Sequence, residues 1–267
     1  MICFPNAKIN IGLYVTEKRA DGYHNIKSVF YPVPFCDALE IVESGNFDFE
    51  QTGIKLDCNP EKNIVVKAFN LFQNEYKIPD VRIFLHKAIP FGAGLGGGSS
   101  DAAFLLKMLN EFFNLKLNNA VLVDLASRLG SDCAFFIENK PAFVSQRGDS
   151  FEFIDLDLKG YYIKIVFPGF SISTAEAYKN IKPSETSFSK DTLLRFSIKE
   201  WKDYIKNDFE DYAFKKYPEL QNIKTTLYGE GAVYVSMTGS GSAIYGLFKD
   251  KPTSENNFDF VYVTLLE

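Results

Sequence analysis

Five glycines fall among the seven positions 92–98, inside the run Pro90-Phe91-Gly92-Ala93-Gly94-Leu95-Gly96-Gly97-Gly98-Ser99-Ser100. Residues without a Cβ let successive backbone N–H groups turn toward one anion, and a helix start behind them adds unpaired donors and a partial positive charge. That is the chemistry of a phosphate cradle, and it predicts a nucleoside triphosphate or another phosphorylated ligand. Three glycine motifs overlap the run, and each lacks a partner. Positions 92–99 have P-loop spacing, but Gly98 stands where lysine is required. Gly92, Gly94 and Gly97 satisfy G-x-G-x-x-G, yet Lys116-Leu117-Asn118-Asn119 occupies the place of the acidic residue that a dinucleotide fold carries about twenty residues on. Neither an H-R-D nor a D-F-G tripeptide of the protein kinases occurs. The run therefore reads as a phosphate loop of another architecture, and the helix pattern directly behind it argues against a flexible linker.

Three other places carry polar groups that such a loop could use. Ile9, Ile11, Leu13 and Val15 alternate onto one strand face, so Lys8, Asn10, Gly12 and Tyr14 share the other and Lys8 and Asn10 are neighbours. That face is either solvated or a polar site, and Gly12 within it marks a close approach by a ligand or another backbone. Asp132 follows a helix ending near Leu129, with Gly130 suited to a left-handed terminus and the apolar run Cys133-Ala134-Phe135-Phe136-Ile137 behind it. It either caps the next element or is a carboxylate in a partly desolvated pocket, able to orient a hydroxyl nucleophile and accept its proton. Thr238-Gly239-Ser240-Gly241-Ser242 is a tight hairpin or a second set of backbone donors.

The elements that must position these groups follow from periodicity. Val81, Ile83 and Leu85 alternate in a strand that leads through Lys87 into the loop. Ala102, Leu105, Leu106, Leu109, Phe112 and Phe113 share one helical face near 100–113, with Ser99 and Ser100 suited to the cap. Strand patterns near 7–15, 27–34, 38–43 and 81–86 mix with helical ones near 62–76, 100–113 and 118–129. Short β-rich pieces follow near 135–154 around a turn at Arg147-Gly148-Asp149, then a strand at 161–167 closed by Pro168-Gly169. Helices near 175–181, 199–216 and 218–228 precede strands near 232–237, 243–248 and 259–265, with a polar loop at 184–189. The pattern predicts an α+β protein of two domains, 1–155 and 156–267.

A chain of 267 residues with 46% hydrophobic and 24% charged residues can bury a sizeable core. A net charge of −5 without a long basic run excludes nucleic acid as the main partner. Cys3, Cys36, Cys58 and Cys133 are scattered, and with only His24 and His86 a zinc cluster has too few ligands. A reducing cytoplasm is expected, with no membrane partner, because no leader and no apolar run of spanning length is present.

The run 90–100 resembles the signature loop of the GHMP kinases, the family of galactokinase, homoserine kinase, mevalonate kinase and phosphomevalonate kinase. The resemblance covers nearly the whole chain through Pro5-Asn6-Ala7-Lys8-Ile9-Asn10, Arg19-Ala20-Asp21-Gly22-Tyr23-His24, Leu129-Gly130-Ser131-Asp132, Pro168-Gly169-Phe170-Ser171-Ile172-Ser173-Thr174 and the turn at 238–242. It implies a two-domain α+β GHMP kinase fold, with a ribosomal-protein-S5-like N-terminal domain and a ferredoxin-like C-terminal domain. ATP would be the phosphoryl donor, held by Pro90, Phe91, Gly92, Ala93, Gly94, Leu95, Gly96, Gly97, Gly98, Ser99 and Ser100. Lys87 matches a lysine near the nucleotide base. Mg²⁺ is expected with ATP, although no carboxylate pair identifies its ligands and Ser100 is a candidate only. Lys8 and Asp132 match the family's catalytic pair.

The Asp-Gly-Tyr-His segment joined to Ala-Lys-Ile-Asn is more selective, and resembles members whose acceptor alcohol carries cytidine diphosphate. Tyr23 and His24 would give cytosine an aromatic face and hydrogen-bond partners, with Tyr178 as the second aromatic and Thr174 in the same pocket. Asn10 would contact the substrate near its reacting end, and Gly239 and Gly241 its phosphates. The partner implied is this small molecule, acted on by a monomer or homodimer. A kinase for another small alcohol, such as mevalonate or homoserine, and a catalytically silent nucleotide sensor are the alternatives. Tyr23-His24 speaks against the first, and Lys8 with Asp132 against the second.

Overall fold

The computed structural model describes residues 1–55, 60–253, 258 and 260–267; Cys58 and the first residue of the last expected strand, 259, lie outside these. The chain forms two compact units, neither continuous in sequence. One comprises 1–7, 35–91 and 96–140, and the other 8–34, 92–95 and 141–267.

In the first unit a four-stranded sheet runs in the order Ile2–Cys3, Ala38–Glu43, Val81–Lys87 and Asp48–Gly53. Leu39 faces Leu85 and Ile41 faces Ile83 across the antiparallel central pair, and all four are buried. The alternation read in the sequence holds, with Val81, Ile83, Leu85 and Lys87 buried between less buried Arg82, Phe84 and His86. Asp48–Gly53 pairs in parallel at the edge. Its sequence, Asp-Phe-Glu-Gln-Thr-Gly, has a single large apolar residue, so no period betrays it.

Helices Ile64–Tyr76 and Asn119–Leu129 are capped by Asn63 and Asn118, whose side chains accept from Val65 N and Val121 N. Helix Gly97–Phe112 is different. It starts inside the glycine run, with Gly96 at φ 72° in the cap position and no side-chain cap, so Ser99 and Ser100 lie within the first turn rather than ahead of it. Gly130 is extended at φ 176°, not left-handed. The run 133–137 is helical, Cys133–Glu138, rather than β-rich, because an apolar run buried at every position carries neither period.

The second unit holds two further sheets. One runs Asn6–Lys18, His24–Cys36, Ala142–Ser145 and Ser150–Phe153, with the expected turn at 146–149. The other is antiparallel in the order Tyr234–Met237, Ile244–Phe248, Tyr162–Phe167 and Phe260–Leu265. Leu13, Val15, Val166, Phe209, Leu227 and Met237 belong to one buried apolar cluster. Helix Lys190–Arg195 was not legible, whereas Thr174–Lys179 and Pro218–Gly229 lie close to expectation.

The helix expected over 199–216 is broken into Trp201–Tyr204 and Phe209–Lys216. The intervening backbone pairs with the N-terminal strand instead: Leu13 N donates to Lys206 O at 2.9 Å and Asp208 N to Leu13 O at 2.8 Å. The Asp208 carboxylate accepts from Val15 N at 2.9 Å. No helix among the described residues is long and apolar enough to cross a membrane.

Candidate active site

Lys8 and Asn10 are 3% and 2% exposed, so the polar face of the N-terminal strand is not a solvated one. Lys8 Nζ donates to Asn10 Oδ1 at 2.7 Å and lies 4.5 Å from the centre of the Phe30 ring. Asn10 is fixed on every side. Its Nδ2 donates to Ser28 Oγ at 2.9 Å, its backbone N donates to Thr238 Oγ1 at 3.1 Å, and its carbonyl accepts from Tyr245 OH at 2.8 Å. Gly12 is glycine for a packing reason rather than a ligand's approach: at φ 65°, a Cβ there would stand 2.9 Å from Ile205 Cγ2 and 3.1 Å from Phe188 Cζ. Beside it, Tyr14, Phe188, Thr192, Tyr204 and Ile205 help line a cleft of about 200 Å³.

The front half of the glycine loop rests on the same unit. Leu95 O accepts from Lys8 N at 2.9 Å, Ala93 O accepts from Ala243 N at 3.1 Å, and Thr238 Oγ1 donates to Gly94 O at 3.0 Å. A Cβ on Gly94, at φ 79°, would lie 2.0 Å from Thr238 O. Gly94→Ala therefore has to push two backbones apart and adopt a left-handed turn. It is expected to weaken ATP binding by about tenfold or more, read by titration with a fluorescent nucleotide. Binding equal to the wild type would show that the loop tolerates displacement from Thr238.

The back half of the loop sits over a buried ion cluster. A Cβ on Gly97 would meet Ile89 Cγ2 at 2.9 Å and Lys87 Nζ at 3.3 Å. Lys87 is not exposed; its amine is held by Asp37 and, at 2.7 Å, by Asp101, and all three residues are buried. The second Asp37 oxygen accepts from Ala88 N at 2.6 Å and Ile89 N at 2.8 Å, which pins the chain as it enters the loop. Burial alone would lower the Lys87 pKa, but Asp101 and Asp37 outweigh it and raise it above the ordinary 10.5. Burial pushes the Asp101 carboxyl well above its ordinary range, against the pull of Lys87 and with the repulsion of Asp37. Ser100 Oγ is buried without a hydrogen-bond partner among the described residues.

Asp132 is half-buried directly ahead of Cys133–Glu138 and makes no side-chain capping bond to it, so the structural role open to it in the sequence is not the one it plays. Burial pushes the neighbouring Cys133 thiol up to about 12, which makes it packing rather than a nucleophile.

Tyr23 is 58% exposed, its backbone N donates to Asp21 Oδ1 at 3.1 Å, and the Arg147 guanidinium lies 5.4 Å from its ring centre. The His24 ring stacks on Tyr178 at 4.9 Å and 23°, and Tyr178 meets Phe209 edge-on. Burial, seconded by Lys18, holds His24 below the ordinary 6.5, so its imidazole is neutral at pH 7 and can donate at one nitrogen and accept at the other. Thr174 Oγ1 and Ser240 Oγ are 3.1 Å apart. Of the two glycine amides expected to reach phosphate, that of Gly241 is already used to close its turn, donating to Thr238 O at 3.0 Å.

Two supporting residues escaped the sequence reading. Asn207, 2% exposed, donates to Met237 O at 2.8 Å and Gly239 O at 2.9 Å, and so holds the second glycine turn. Its signal was an Asn-Asp pair in a helix interior, where short polar side chains compete with the helical backbone. Ser28 is fully buried under Asn10. It shares strand parity with Ile26 and Phe30, and a hydroxyl on an inward phase is the mark of a polar contact.

Two stretches of the chain match family models: 63–140, which holds the glycine loop and Asp132, with the GHMP kinases N terminal domain, and 189–261, which holds the second glycine turn, with the GHMP kinases C terminal domain. The chain belongs to the GHMP kinase family. Within it, the chain is 52% identical over 253 residues to a Parabacteroides distasonis protein named 4-diphosphocytidyl-2-C-methyl-D-erythritol kinase, covering 95% of this chain and 93% of that one. A namesake from Azobacteroides pseudotrichonymphae is 48% identical over 261 residues, 97% of this chain and 98% of the relative. A crystal structure of 4-(cytidine 5'-diphospho)-2C-methyl-D-erythritol kinase superposes with a TM-score of 0.79 at 29% identity, over 92% of this chain and 90% of that one. Homoserine kinase from Cytophaga hutchinsonii shares the fold, with a TM-score of 0.64 at 18% identity over 98% and 95% of the two chains.

Proposed function

We infer that this protein transfers the γ-phosphoryl group of ATP to the 2-hydroxyl of 4-diphosphocytidyl-2-C-methyl-D-erythritol, a step of the non-mevalonate route to isoprenoid precursors. The observation that carries the assignment is the 52% identity to a relative of that name across 95% of the chain. The family stretches at 63–140 and 189–261 fall on either side of the boundary we propose at 155/156.

The acceptor is a tertiary alcohol, hindered and poorly acidic. Asp132 orients it and takes its proton as it attacks phosphorus, and Lys8 supplies positive charge to the transferring group. The glycine loop 90–100 holds the triphosphate with backbone donors and the uncapped helix start. Ser100 is the side chain that would hold Mg²⁺, because its buried hydroxyl has no hydrogen-bond partner among the described residues, and the ion would offset phosphate charge there. Tyr23, His24, Thr174 and Tyr178 form the cytidine pocket, supported by the His24–Tyr178 stack. Lys87, by contrast, serves the nucleotide from beneath the loop, given the two carboxylates that hold its amine. The scattered thiols, none of Cys3, Cys36 and Cys133 being in a disulfide, support a cytoplasmic location.

Purified protein with Mg-ATP is expected to phosphorylate the cytidylyl acceptor and to leave mevalonate and homoserine untouched. Tyr178→Ala is expected to raise KM for the cytidylyl acceptor by about tenfold or more, because a base stacked on an aromatic ring is held by about 1–3 kcal/mol, while KM for ATP stays unchanged. Turnover of mevalonate or homoserine in place of the cytidylyl compound would overturn the assignment.

A further inference from the structure

We propose that Ser28 is a positioning residue for phosphoryl transfer: it fixes the orientation of the Asn10 amide and, through it, the place of the Lys8 amine. The inference rests on the role given above to Lys8.

The orientation follows from counting protons. A serine hydroxyl has one hydrogen to give and lone pairs to receive with. Ser28 Oγ gives its hydrogen to Gly12 O at 2.6 Å, a carbonyl that can only accept. Toward Asn10 it must therefore accept, and the end of the Asn10 amide that faces it at 2.9 Å must be the NH₂. The amide oxygen is then forced to the opposite side, where Lys8 Nζ donates to it at 2.7 Å. Were the amide reversed, an NH₂ would face an ammonium and a carbonyl would face a hydroxyl with no hydrogen left to offer.

Two donors face the oxygen end of the amide, Lys8 Nζ at 2.7 Å and Thr238 Oγ1 at 3.3 Å. Thr238 Oγ1 also accepts from the backbone N of Asn10, and its one hydrogen is shared between Gly94 O at 3.0 Å and the more distant Asn10 Oδ1. Tyr245 OH donates to the Asn10 backbone carbonyl and not to its amide. The backbone contacts fix the strand, and Ser28 is the group that receives the NH₂ end of the side chain and so holds the oxygen end toward Lys8. The members of the chain from Gly12 O to Lys8 are secluded from water: Ser28 is 0%, Asn10 2% and Lys8 3% exposed. In such surroundings a misdirected donor costs more than it does in water.

The test is a double-mutant cycle at constant temperature, well below the unfolding midpoint of each variant. Ser28→Ala is expected to lower kcat by about tenfold with KM for ATP and for the cytidylyl acceptor little changed, as for loss of one hydrogen bond that orients a charged group. In an Asn10→Ala background, where there is no amide to orient, adding Ser28→Ala is expected to lower kcat no further. Wild-type kcat in Ser28→Ala, or losses that multiply in the double variant, would overturn the proposal, since a purely structural hydroxyl acts independently of Asn10. Lys8→Ala separates this from the parent reading. If Lys8→Ala keeps full turnover, the role of Lys8 itself is wrong; if Lys8→Ala is inactive and Ser28→Ala is unimpaired, only the Ser28 inference falls.

Discussion

Asp132→Asn is expected to lower kcat by about 10²–10⁴-fold, the usual worth of a positioned general base, with a folded protein and nearly unchanged KM values. Asparagine keeps the shape of the carboxylate and cannot take a proton. The variant keeps the length of the side chain, and no capping bond to Cys133–Glu138 is lost with the charge. Lys8→Ala is expected to cost about 10²–10³-fold by removing the charge we propose acts on the transferring group. It also strips Asn10 Oδ1 of its donor at 2.7 Å, so part of its effect passes through Asn10. ADP release at saturating ATP and acceptor reads both variants, and circular dichroism reports the fold. Full turnover in both would remove the catalytic pair while leaving family membership intact.

Lys87→Met is expected to destabilise the protein by about 3–5 kcal/mol, because it leaves Asp37 and Asp101 buried without their cation. Asp101→Asn makes the instructive comparison. Burial already favours the uncharged form of Asp101, and asparagine keeps an oxygen for Lys87 to reach, so the loss should stay within about 1 kcal/mol. The pH dependence follows from sign. The folded Lys87 titrates above its ordinary 10.5, so the stability it contributes is fully present below that pH and is lost as the pH rises through the higher folded value. Asp101, raised in the folded state, favours folding below its ordinary 3.8, and that benefit fades as the pH rises from there. Urea unfolding at pH 7 and above 10.5 should show the wild type losing stability in alkali and Lys87→Met losing less. A Lys87→Met protein as stable as the wild type at pH 7 would mean that the ion cluster contributes nothing.

How much of this was legible in the chain depended on whether a residue's role was local. Alternation at Val81–Lys87 and along the N-terminal strand was strong enough to place Lys8 beside Asn10, and periodicity located the helix behind the glycine loop. Where packing removes periodicity, the reading failed: Cys133–Glu138 is apolar at nearly every position, and Asp48–Gly53 is almost wholly polar. Gly12 reads as a place for a ligand or another backbone and is a place for the side chains of Ile205 and Phe188, far away in sequence. Asn207 and Ser28 are distant from the groups they serve, so spacing alone could not assign them. Lys87 was found, but its two carboxylates lie 50 residues before it and 14 after it.

The two glycine turns touch backbone to backbone. A Cβ on Gly94 would collide with Thr238 O at 2.0 Å, and one on Gly239 would come within 3.0 Å of Gly94 Cα. Neither position can gain even a methyl group unless the opposing main chain moves, and a compensating change has nothing smaller than hydrogen to offer. Most contacts between distant segments can drift over generations, one side shrinking as the other grows. This one has no such freedom, so two stretches more than 140 residues apart can change only together.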